Sequence, residues 1–132
     1  MPSDSALFDL SGDEISELLV TATVFYGDDP WGVTYTYVFS YNGSSVYSTG
    51  ALDTFGYPQK SEATGSLVTT DFARMTGDQY CYAYRVEDGT LTMTTVAEAV
   101  PFDVDLKNVA GAYSDYTEWD WFEIDNLSGL TL

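Results

Sequence analysis

Residues 33–41, VTYTYVFSY, set Val33, Tyr35, Tyr37, Phe39 and Tyr41 on one parity and Thr34, Thr36, Val38 and Ser40 on the other. A two-residue period places alternate side chains on opposite sides of an extended chain, so the stretch has the pattern of a β-strand. Asn42 and Gly43 follow at once. This is the strongest short hairpin signal, because a tight hairpin turn needs positive φ and Asn-Gly tolerates it. Residues 33–52 therefore read as two antiparallel strands.

The same signal recurs along the chain. In residues 18–27, Leu18, Val20, Ala22, Val24 and Tyr26 share one parity and Leu19, Thr21, Thr23 and Phe25 the other, the first set being the more apolar. That is a strand with one face inward. GDDPWG (27–32) is a turn cluster and 53–65 a loop; residues 66–75, 79–86 and 90–100 read as further strands, separated by TGD and EDG. Short strands at roughly ten-residue spacing, with turns between, predict an all-β sandwich or barrel. Ser11 and Glu14 have capping-box spacing, so the segment from Ser11 is either a short helix or an extended strand entry. After Pro101 the alternation stops. The 132 residues, 45 % of them hydrophobic, suit one domain with a buried core. The expected division is an N-terminal arm or short helix at 1–14, a sandwich at 15–101 and an extended arm at 102–132.

MTGDQYCYAYRVEDG (75–89) resembles the end of a fibronectin type III or immunoglobulin-like sandwich: an apolar Met75, a Gly-containing turn, then Tyr80 followed by Tyr82 and Tyr84. The resemblance implies a single antiparallel Ig-like sandwich of about seven strands, with Tyr80 at the corner where such folds bond a tyrosine hydroxyl to upstream backbone. It carries over architecture only, since such sandwiches host unrelated functions. Cys81, on the opposite parity from the tyrosines, reads as a small apolar residue.

Charge bounds the partners. The chain has 21 Asp and Glu against 4 Lys and Arg, a formal net charge of −17 and no histidine. Lys60, Arg74, Arg85 and Lys107 are scattered singly, so the basic footprint that nucleic acid or an anionic membrane surface requires is missing. Self-repulsion on this scale destabilises a compact state unless salt screens it, and the Debye length falls to about 3 Å at 1 M. The composition thus points to adaptation to high salt. The first sixteen residues lack the basic and apolar regions of a signal peptide, which gives the expectation of a protein either made and used without Sec export or seen after processing.

Without histidine, a Ser-His-Asp triad, a Cys-His pair and an imidazole zinc site are all excluded. Cys81 has no second cysteine for a redox or metal motif. No catalytic residue and no cofactor is expected. Acidic residues near turns, Asp28, Asp29, Glu87, Asp88, Asp103 and Asp105, are candidate ligands for calcium or other salt cations, which take oxygen donors. Tyr113, Tyr116, Trp119, Trp121, Phe122 and Ile124 form an aromatic group whose apolar side changes between Trp121 and Phe122. A single edge strand would keep that side constant, so the group is the candidate partner-binding arm. The resulting expectation is a non-enzymatic structural or assembly protein binding protein subunits, as a homo-oligomer or with capsid or tail proteins. More narrowly, it is a virion component such as a capsid decoration, spike or tail protein of a halophilic virus, assembled in the host cytoplasm. The alternative is a surface-adhesion or carbohydrate-binding sandwich.

Overall fold

A computed structural model describes residues 3–25, 27, 32–54, 56–73 and 75–118, with the backbone of 122 and 123. The chain is all-β, built as two antiparallel sheets. Its strands are β1 (Ser3–Phe8), β2 (Glu17–Val24), β3 (Val33–Tyr41), β4 (Val46–Thr54), β5 (Gln59–Ser61), β6 (Ser66–Phe72), β7 (Gln79–Glu87), β8 (Thr90–Val100) and the two-residue β9 (Phe122–Glu123). The first sheet has the order β4-β3-β2-β1-β9 and the second β5-β6-β7-β8.

The turns follow their residues. Asn42 closes the β3–β4 hairpin by accepting from the amides of Ser44 and Ser45 through Oδ1, at 3.0 and 2.9 Å, while Gly43 takes φ +97°. Glu87 pairs directly with Thr90, leaving Asp88 and Gly89 as a two-residue turn at φ +53° and +77°. That is the type I′ geometry favoured between twisted strands.

The amino-terminal segment differs from both the arm and the helix readings. Residues 3–8 are a full strand of the first sheet, paired from Ser3↔Ala22 to Phe8↔Glu17. The capping box of Ser11 and Glu14 does not form, because other carboxylates take the amides a helix start would need. Asp9 accepts from the amides of Gly12 and Glu14, both at 2.8 Å, and Glu17 accepts from Leu10 at 2.7 Å and Ser11 at 3.1 Å. Glu14 sits at φ +68°, outside any right-handed helix. Burial pushes the Asp9 carboxyl up, but the amides of Glu14, Gly12 and Ser11 together hold it below the ordinary aspartate range.

Two apolar clusters hold the layers together. Leu19, Val38 and Leu52 of the first sheet meet Leu67 and Val86 of the second, with Leu10 from the β1–β2 bend. On the opposite side of the second sheet, Val68, Cys81 and Val100 pack against Leu106, Ala110 and Tyr116. Burying each large aliphatic side chain contributes about 1.5–3 kcal/mol. The segment 102–118, read from sequence as the first half of an extended arm, is therefore a third layer on this chain's own second sheet. It holds two short 3-10 helices, Leu106–Asn108 and Gly111–Tyr113, and its end is tied down by reciprocal 2.8 Å bonds between the backbones of Lys60 and Thr117.

Strand order sets this chain apart from an Ig domain. Each sheet is a meander of consecutive strands, β1 to β4 and then β5 to β8, with one passage between sheets before β9 returns to the first. Immunoglobulin sheets interleave strands from both halves of the chain. Nine strands lie among the described residues against the expected count of about seven, and residues 3–8, 59–61 and 122–123 are strands that the alternation did not reveal.

Candidate interface on the outer face of the first sheet

The second sheet is covered on both sides, and its β6 shows it: Ser66, Leu67, Val68 and Thr69 are all buried in succession. The described apolar clusters cover the first sheet on one side. The register of β2 and β3 pairs Leu18 with Phe39, Val20 with Tyr37 and Val24 with Val33, and directly paired residues share a face. These are the apolar sets of both strands, and they point outward. The inward set is Glu17, Leu19, Thr21, Thr34, Thr36, Val38 and Ser40, all buried. Sequence reasoning that turns the more apolar side inward is reversed for β2.

Hydrogen bonds make the inversion tolerable, since a buried hydroxyl without a partner costs free energy. Thr23 and Thr34 share a 2.9 Å bond between hydroxyls, Thr49 donates to the Val38 carbonyl at 2.9 Å and Ser40 donates to Glu17 Oε2 at 2.8 Å. Thr36 Oγ1 alone among these inward hydroxyls is buried without a partner.

The outward face is continuous across four strands. Leu7, Leu18, Phe39 and Ser48 form one row, Val20, Tyr37 and Ala51 the next, beside the buried Ser5, and Tyr41 and Val46 close one end. Leu7, Tyr37, Tyr41 and Val46 keep 62, 45, 47 and 65 % of their surface exposed. Asp53, on the edge strand β4, is the one charged residue that the register of β2, β3 and β4 places on this side among the described residues. Single exposed apolar residues are ordinary, whereas a contiguous uncharged patch on a soluble surface marks an interaction site. On a chain of net charge −17 the contrast is sharper still.

The candidates expected from sequence fall elsewhere. Tyr116 is 8 % exposed in the second cluster, with Tyr113 packed against that cluster and Lys107 Nζ lying 4.8 Å from the Tyr116 ring centre. Burial pushes the Tyr116 hydroxyl up. Tyr116 is therefore core, not a partner anchor. Phe122 contributes backbone pairing to Ser5; its side chain, and Trp119, Trp121 and Ile124, lie outside the described residues.

Of the candidate cation ligands, Asp28 and Asp29 lie outside the described residues. Asp105 caps the first 3-10 helix, accepting from the Lys107 amide at 3.0 Å, and Asp103 is exposed in the preceding turn. Glu87 and Asp88 line a cavity of about 480 Å³ with Asp13, Arg85, Tyr41 and Tyr47. Among the described residues no three Asp, Glu, Cys or His groups converge as metal ligands. Cys81 is fully buried, and burial pushes its thiol up, away from the reactive thiolate.

The outward apolar residues were missed although their signal was present. Two neighbouring strands each carried a strongly apolar parity, and antiparallel pairing had to put both on one face; nothing local said which face met the second sheet. No family model, curated protein or solved structure matches the chain.

Proposed function

We propose that this chain is a non-enzymatic structural module that assembles through the outer face of its first sheet. The observation that carries the reading is the uncharged row of Leu7, Leu18, Val20, Tyr37 and Phe39 standing outward while threonines face the core. The acidic remainder of the surface keeps the module soluble, and its self-repulsion makes assembly depend on salt. That dependence suits a halophilic setting, and a small repeated sandwich-like unit there suits a virion component such as a capsid decoration, spike or tail protein. In this reading the partner surface is a sheet face, and residues 102–118 pack on the chain's own second sheet.

The test is the mass of the full chain in solution at about 0.1 M and about 2 M salt, beside a Leu18→Asp/Tyr37→Asp variant. Association that grows with salt and is lost in the variant, with the strand circular dichroism unchanged, is the expected result. Association that persists in the folded variant would place assembly elsewhere and defeat the reading.

A further inference from the structure

We infer that the occupant of this face is a second copy of the chain, docked about a two-fold axis that runs along the strands between β2 and β3; the inference rests on the assembly reading above. Shape supplies the first argument. On the outward side β3 presents large rings, Tyr37, Phe39 and Tyr41, while β2 beside it presents the smaller Val20, Ala22 and Val24 with Leu18. One strand is a ridge and its neighbour a trough. A two-fold axis along the strands lays the β3 of one copy over the β2 of the other, so each ridge meets a trough and the contact is isologous. An axis across the strands sets ridge on ridge, which packs poorly.

Size and charge agree. Four strands of six to nine residues, about 4.8 Å apart and rising about 3.4 Å per residue, give a footprint of roughly 500 Å² before side-chain relief is counted. A stable complex takes roughly 800 Å² of accessible surface from each partner, within reach of this face. The rows carry no charge pattern that would select a foreign partner, and Asp53 at the β4 edge falls on the rim. Pairing two chains of net charge −17 demands screening, so salt strengthens the contact. A basic partner would be released by salt instead.

Face-to-face sheets lie about 10 Å apart, further than a disulfide spans, so a short bismaleimide linker is the probe. A Leu7→Cys chain mixed with a Ser48→Cys chain at high salt is expected to cross-link between chains, because this axis lays β1 of one copy over β4 of the other in the same row; the Ser48→Cys chain alone, whose two copies lie about 17 Å apart, is not. Cys81 is fully buried and leaves the readout clean. The wild-type mass is expected to double between low and high salt and go no further.

Cross-linking of Ser48→Cys to itself in place of the mixed pair overturns the axis assigned here. A wild-type monomer at both salts overturns the second copy, and the uncharged dye Nile red then separates the two readings. Dye binding lost in Tyr37→Asp leaves the face as a site for a different partner. A monomer that binds no dye ends the assembly reading as well.

Discussion

Val20 on β2 and Tyr37 on β3 are register partners facing outward, and Leu19 and Val38, one residue along each strand, are register partners facing the core. Tyr37 is 45 % exposed while Leu19 and Val38 are fully buried. The more apolar pairing is thus divided between an inner core with aliphatic centres and a broader outer face. Such an arrangement is stable in isolation only because the inner threonines and Ser40 mostly find hydrogen-bond partners.

Leu18 and Leu19 therefore make a paired test. Leu19→Ala removes a fully buried side chain and is expected to cost roughly 2–5 kcal/mol of stability in urea titrations. Leu18→Ala, on the outer face, is expected to cost about 1 kcal/mol or less for the isolated chain, since its surface is only partly buried. Equal costs for the two would contradict the facing described here.

Glu17 is a buried carboxylate that organises the entry to β2. It accepts from the amides of Leu10 and Ser11 through Oε1 and from Ser40 through Oε2. Glu17→Ala leaves those donors buried without an acceptor, a loss of roughly 1–3 kcal/mol. Glu17→Gln retains one acceptor oxygen and should fall between wild type and Glu17→Ala in thermal melts.

Much of the architecture was legible from residues alone. The β8 boundaries, the Asn42-Gly43 hairpin and the turn at Asp88-Gly89 follow from alternation and turn chemistry, which are local. The facing of β2 was not legible, because it depends on which side the second sheet covers. Nor was the strand at residues 3–8: a capping-box spacing competed with it, and only the positions of Asp9 and Glu17 decide where the amides of the bend go. The aromatic residues after Pro101 were read as one arm, yet Tyr113 and Tyr116 belong to a layer closed by long-range contacts with Val68 and Cys81.

The Asp88-Gly89 turn separates a backbone role from a cation role. Both residues have positive φ, so Gly89→Ala is expected to destabilise by about 1 kcal/mol, with its added Cβ 3.4 Å from the Tyr47 hydroxyl. Asp88→Asn keeps a residue that tolerates this conformation and should melt like wild type. A calcium-dependent melting temperature at constant ionic strength, lost in Asp88→Asn, would instead make the turn a cation ligand.

Asp115 fastens the third layer to the second sheet. Its carboxylate accepts from the Ser61 hydroxyl at 2.6 Å and from the Ala63 amide at 2.9 Å, and those bonds hold it below the ordinary aspartate value of 3.8. A depressed folded-state pKa stabilises the fold fully above the unfolded value, and the contribution disappears as pH falls through the folded one. Melting temperature should therefore be insensitive to Asp115 titration above about pH 5 and decline below about pH 4. Asp115→Asn presents an amide donor in place of one acceptor oxygen, so it should lower stability near neutral pH and flatten the acid decline. The carboxylate is largely exposed, so the difference is small, and amide exchange at Leu106, Ala110 and Tyr116 is the more sensitive readout. Faster exchange at those three amides, with Leu19 and Val38 unchanged, is the result expected of a layer that opens separately from the core between the sheets.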